Sequence, residues 1–135
     1  MRDLVITENM SLDGVIAPID GWFDPGTQDA DLSAVVAEHR EAADAVVLGR
    51  VTYEEFAGFW PHQTNDTTGI SAYLDRVAKY VFSSSLERVD WQHTTILRGQ
   101  VDDELFEDRT RAELTLSETR TFKSGVVLLE YRSGR

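Results

Sequence analysis

The chain has 135 residues, 41% of them hydrophobic and 27% charged, and its 24 acidic residues against 13 basic ones set a net charge of −11. That length is one domain with room for its own core, the composition is globular and not disordered, and the charge argues against nucleic acid or an anionic membrane as the main partner. With no cysteine, a disulfide framework and a cysteine metal site are both excluded. A small anionic ligand stays open, because a few local arginines suffice to hold a phosphate.

Residues 3–10 carry Leu4, Val5 and Ile6 and read as a strand. This apolar run is too short for a signal peptide, and no later stretch is long enough to span a membrane, so a cytoplasmic protein is the expectation. Ser11-Leu12-Asp13-Gly14 interrupts the strand, Val15-Ile16-Ala17 follows, and residues 18–26 hold Pro18, Gly21, Pro25 and Gly26, the composition of a loop. Trp22 and Phe23 sit inside it. They either pin the loop to the core or face a ligand. Leu32, Val35, Val36 and His39 follow helical spacing, which predicts a helix over 31–42, with Asp29 or Asp31 as cap.

Residues 43–61 organise the rest. Ala45, Val46, Val47 and Leu48 form a short apolar run, as in a strand buried on both faces. Gly49 ends it. Thr52 and Glu55 have the spacing of a capping box, and Tyr53, Phe56, Ala57 and Trp60 make one sticky face of a helix that Pro61 stops. Glu54 and Glu55 then complement the dipole at its start. A strand, a Gly49-Arg50-Val51-Thr52 turn and a helix start can gather free N–H groups, a hydroxyl and a guanidinium around an anion. The same residues also suit an ordinary turn with a solvated arginine.

Residues 62–69 are polar and read as a loop. Ile70, Tyr73, Leu74 and Val77 predict a helix over 70–77, and 79–82 a strand ending in Ser83-Ser84-Ser85. Residues 94–97 predict another short strand, closed by Arg98-Gly99. Residues 101–111 are acidic and polar, 112–122 alternate, and Lys123-Ser124-Gly125 joins them to a last strand over 126–131, giving a hairpin. The reading totals about six strands and three helices. His39, His62 and His93 have no metal spacing, so no metal is expected. There is no Walker loop, G-x-S-x-G or G-x-G-x-x-G. What remains is a pair of turns at successive strand ends, Gly49 to Thr52 and Ser83 to Ser85. Together they can grip an extended anion such as a dinucleotide.

These segments, in order S-L-D-G, V-L-G-R-x-T-Y-E-x-F, K-Y-V-x-S-x-x-L, T-I-L-R-G and E-x-R-T-F-x-S-G-V-V-L-L-x-Y, resemble the dihydrofolate reductase-like superfamily. Within it the chain is most similar to the C-terminal reductase domain of the bifunctional riboflavin biosynthesis protein RibD. The resemblance implies an α/β fold, a central mixed sheet flanked by helices, and an NADPH-dependent reductase of the riboflavin-biosynthesis pyrimidine reductase type acting on a small molecule. It places Arg50 at the 2′-phosphate of NADPH, Thr52 with the start of its helix at the pyrophosphate, and Gly49 among the cofactor-binding residues. Ser83 and Ser84 fall at the adenosine-ribose phosphate, Ala17 on the nicotinamide side, and Ser11, Asp13 and Trp22 near the substrate.

The chain departs from that family between Gly99 and Leu114, where a strand–helix–strand unit with a glycine-rich turn is missing, on the order of thirty residues. The loss removes half of the cofactor grip and leaves sheet backbone to be covered, for which a homodimer is the expected solution. It also motivates a second reading, a non-catalytic nucleotide-binding or dimerisation remnant of the fold.

Overall fold

The structure is a computed structural model and describes residues 5–16, 30–98 and 114–133. In order, these form α1 (Ala30–Glu41), β1 (Ala45–Gly49), α2 (Arg50–Phe59), a 3-10 turn (Trp60–His62), α3 (Ile70–Arg76), β2 (Ala78–Phe82), β3 (Thr94–Leu97), β4 (Leu114–Thr121) and β5 (Val127–Ser133). This is the α/β class expected. The described strands fall into two sheets, a parallel one in the order β1-β2-β3 and an antiparallel β4-β5 hairpin.

Parallel pairing needs crossovers, and α2 with α3 supplies the one from β1 to β2. Leu48, Val81 and Ile96 pair in one row, so they share a face of the sheet. That face meets Tyr53 from α2 and Tyr73 and Leu74 from α3, and Val77 and Trp91 complete the core. Val81, on the central strand, is fully buried. The opposite face is more open: Val47 is 39% and Tyr80 37% exposed. On β1 Leu48 is buried and Val46 half-buried, while Ala45, Val47 and Gly49 are exposed, so its burial is one-sided and not the two-sided burial its apolar run predicts.

Lys79 is fully buried, although lysine rarely is. Its Nζ donates to the carbonyls of Leu74 (2.5 Å) and Val77 (3.1 Å) at the end of α3. The ammonium also lies 4.6 Å from the Trp91 ring centroid, and Trp91 Nε1 donates to Asp75 Oδ1 at 2.7 Å. The charge thus meets carbonyls at the negative end of a helix and a π face. Burial pulls the lysine below its usual pKa, and the Asp75 carboxylate partly opposes this.

The start of α3 is held from the preceding loop. Asp66 Oδ1 accepts from the Thr68 N–H (2.7 Å) and hydroxyl (2.5 Å), and Oδ2 accepts from the Ser71 N–H (2.8 Å). Gly69 takes φ +73, a region that favours glycine.

In the hairpin, Leu116 pairs with Tyr131 but Glu118 pairs with Glu130, so a bulge falls at Ser117. Ser117 Oγ donates to the Glu130 carbonyl at 3.0 Å. The bulge offsets the unbroken alternation in the sequence. Glu118 pairs with Arg120 and Glu130 with Arg132, while Leu116, Leu129 and Tyr131 stay about half exposed.

The strand predicted over 3–10 does not form in its described part. Residues 5–10 are irregular, with Val5 and Ile6 70% and 78% exposed. An apolar run becomes a strand only where a neighbour completes its ladder, and these residues pair with no described strand.

Partial burial raises the Asp66 carboxyl pKa, but the hydrogen bonds from Thr68 and Ser71 outweigh it and bring the group down to about 2. A lowered carboxyl stabilises the fold above its unfolded value and stops doing so as pH falls through the folded one. Asp66→Asn, which weakens hydrogen bonds to a charged acceptor, should therefore cost about 1 kcal/mol near neutral pH. In urea melts the gap to wild type should shrink as pH falls from the usual carboxylate range toward 2. A gap independent of pH would contradict this assignment.

Candidate functional site at three strand ends

Gly49, Phe82 and Leu97 form the last paired row of the parallel sheet. The next residues are Arg50, Ser83 and Arg98, so all three emerge at the same carboxyl-terminal rim. The register thus brings together the two turns singled out in the sequence, Gly49 to Thr52 and Ser83 to Ser85. Ligands in open α/β sheets sit at this rim.

At the first end, β1 passes into α2 with no connecting loop. Gly49 is the N-cap, with extended φ −76 and ψ 163, and no side chain caps the helix. The capping box of Thr52 and Glu55 is therefore corrected. α2 begins at Arg50, which makes Thr52 its third residue, and a residue with helical backbone cannot take the extended N-cap role. A helix start without a side-chain cap leaves its first N–H groups open to an anion. Gly49 is not required by its backbone angles, which any residue adopts. A Cβ placed there would meet nothing within 4 Å, so packing does not require glycine either.

Arg50 is half exposed, and its Nη1 donates to Glu54 Oε2 at 2.6 Å. At the second end Ser83 is buried. Its Oγ accepts from the N–H groups of Ser85 (3.2 Å) and Leu86 (2.9 Å), so that hydroxyl serves the turn. Ser84 and Ser85 are exposed. At the third end, Arg98 Nη1 donates to the Ser83 carbonyl at 2.8 Å. Sequence reasoning used Arg98 only to close a strand. The signal that marks it is its place, one residue past β3, equivalent to that of Arg50 past β1.

Ser11 and Asp13 lie in a separate tight turn. Ser11 Oγ donates to Asp13 Oδ1 (2.5 Å) and accepts from the Val15 N–H (2.9 Å). Gly14 permits the turn with φ +91, and Asp13 is exposed. Among the described residues the hydrogen bonds of Ser11 and Asp13 stay inside this turn. Ala17 and Trp22 lie outside the described residues, as do residues 99–113, where the missing unit of the resemblance falls. Among the described residues no group of three or more histidine, aspartate or glutamate side chains is placed to hold a metal. None of their helices is long and apolar enough to cross a membrane.

The sequence matches the family described as the RibD C-terminal domain over residues 2–129. No curated protein matches the chain.

The two serines at the second strand end should separate in stability. Ser83→Ala leaves two partly buried N–H groups of the turn without their acceptor and should cost about 1 kcal/mol, read as a lower urea midpoint. Ser84→Ala, at an exposed position, should stay within about 0.5 kcal/mol of wild type. Equal effects would refute the division of labour.

Proposed function

The chain belongs to the RibD C-terminal domain family, and from that premise we propose that it is an NADPH-dependent reductase of the riboflavin-biosynthesis pyrimidine reductase type. The observation that carries this reading is the shared rim of Arg50, Ser83 and Arg98, next to an uncapped ten-residue helix. In a chain of net charge −11, two arginines at the ends of β1 and β3, on either side of the end of β2, are a local exception that suits a phosphorylated ligand.

The residues fit the charged half of the cofactor. Arg50 would take the 2′-phosphate. Gly49, Thr52 and the first N–H groups of α2 would hold the pyrophosphate, and Gly49 lets a ligand approach the backbone closely. Ser84 would serve the adenosine-ribose phosphate with its hydroxyl, and Ser83 by keeping the turn in shape. Arg98 adds a second cation beside them. Ala17 is assigned to the nicotinamide side, and Ser11, Asp13 and Trp22 to the substrate. When bound, the cofactor supplies a hydride; the protein supplies placement and charge. A small-molecule substrate, a cytoplasmic setting and a homodimer belong to the same reading. The half-exposed Leu116, Leu129 and Tyr131 on the hairpin support the dimer.

One observation favours a second reading, a nucleotide-binding remnant without turnover. Asp13, the one candidate near the substrate that could hold a proton, is exposed and occupied by Ser11. A protein that binds NADPH but oxidises none of it with pteridine, pyrimidine and carbonyl substrates would select this reading.

Titration with NADPH, followed by nucleotide fluorescence, tests the first reading. Arg50→Ala should weaken NADPH roughly tenfold or more, the loss of a charge-assisted hydrogen bond, and should leave NADH nearly unchanged. Gly49→Ala should keep the thermal midpoint and still weaken both nucleotides. No saturable change at high micromolar NADPH would reject the proposal.

A further inference from the structure

Glu54 is the fifth residue of α2, past the first turn whose dipole the sequence expects it to complement, so neither helix stability nor cofactor grip calls for it there. Arg50 is the first residue of α2, and a cation there opposes the positive end of the helix dipole. The pair also runs in the weaker order, because a glutamate stabilises a helix best when it precedes its basic partner by four residues. Both side chains are over two-fifths exposed, so the ion pair adds little to the fold. The short contact nevertheless occupies the guanidinium nitrogen Nη1 at the rim that carries Ser83 and Arg98.

Resting on the nucleotide-binding reading above, we propose that Glu54 is an affinity-setting residue: a built-in counter-ion that neutralises Arg50 in the free protein and competes with the ligand phosphate for the same guanidinium. A nucleotide with a free 2′-hydroxyl leaves the pair intact. A nucleotide with a 2′-phosphate must displace the carboxylate and then lie near its charge. Glu54 thus lowers the hold on phosphorylated nucleotide specifically and speeds its release. The exchange is feasible because an exposed ion pair is weak, whereas a phosphate can take two guanidinium N–H groups at once.

The test is Glu54→Gln, which keeps size and hydrogen bonding and removes the charge. NADPH, NADH and adenosine 2′-phosphate are titrated against wild type, E54Q, R50A and the double variant. E54Q should bind NADPH and adenosine 2′-phosphate about two- to fivefold more tightly, mainly through slower dissociation. Its NADH affinity and thermal midpoint should not change. On the R50A background the same substitution should have no effect, since the double cycle isolates the pair.

Weaker or unchanged NADPH binding by E54Q would overturn the proposal, and weaker binding would make Glu54 a residue that positions Arg50. Equal tightening of NADPH and NADH, or a gain that persists with R50A, would overturn it in favour of a general charge effect. Should R50A itself bind NADPH as wild type does, Arg50 is not the phosphate ligand and this proposal falls, while nucleotide binding by the protein stands. If only E54Q fails, that reading stands without this addition. If none of the variants binds NADPH or adenosine 2′-phosphate, both fall.

Discussion

The parallel register of β1, β2 and β3 is the constraint on which everything else rests. Because Gly49, Phe82 and Leu97 close one row, the chain leaves all three strands on one side. Three segments well apart in the sequence then share a rim. A shift of one residue in either pairing would turn the inner side chains of a strand outward. It would cost the core Leu48 or Val81 and misalign the rim at the same time. Packing and site therefore depend on the same hydrogen-bond ladder.

That ladder is held from beneath by Lys79. Its ammonium ties β2 to the end of α3 through the Leu74 and Val77 carbonyls and faces the Trp91 ring, which is bonded to Asp75. A buried charge is expensive unless its partners are complete. Here carbonyl oxygens and an aromatic face fill the role of a carboxylate. Arg50 presents the contrasting case: it is exposed, weakly paired, and placed against the dipole of its own helix. One cation serves the architecture, while the other lies at the surface, held only by an exposed ion pair. A chain with many more acidic than basic residues gains a positive rim only by such local placement.

Much of this was legible in the letters because the signals were local. The apolar run at Ala45 to Leu48, the three- and four-residue spacing of Tyr53, Phe56 and Trp60, and the break at Lys123 to Gly125 each specify an element without reference to the rest. The two turns at Gly49 and Ser83 also stood out, although their meeting at one rim depends on strand register, which local pattern does not encode. The misses share a cause. Thr52 and Glu55 have capping-box spacing, but where the helix starts is decided by how abruptly β1 hands over to α2. Residues 3–10 have a strand's composition, but a strand exists only with a partner. The Ser117 bulge is invisible in an alternating sequence, because it changes pairing and not composition. Lys79 and Arg98 looked like punctuation of short strands. Their environments are made by α3 and Trp91 in one case and by the neighbouring strand end in the other.

The central claim is that three strand ends act as one binding surface. Amide chemical-shift mapping with added NADPH measures this most directly. The account predicts that the largest shifts fall together on Arg50, Val51 and Thr52, on Ser84 and Ser85, and on Arg98, with a common saturation curve. Shifts confined to one of these ends, or centred on the hairpin of β4 and β5, would contradict it.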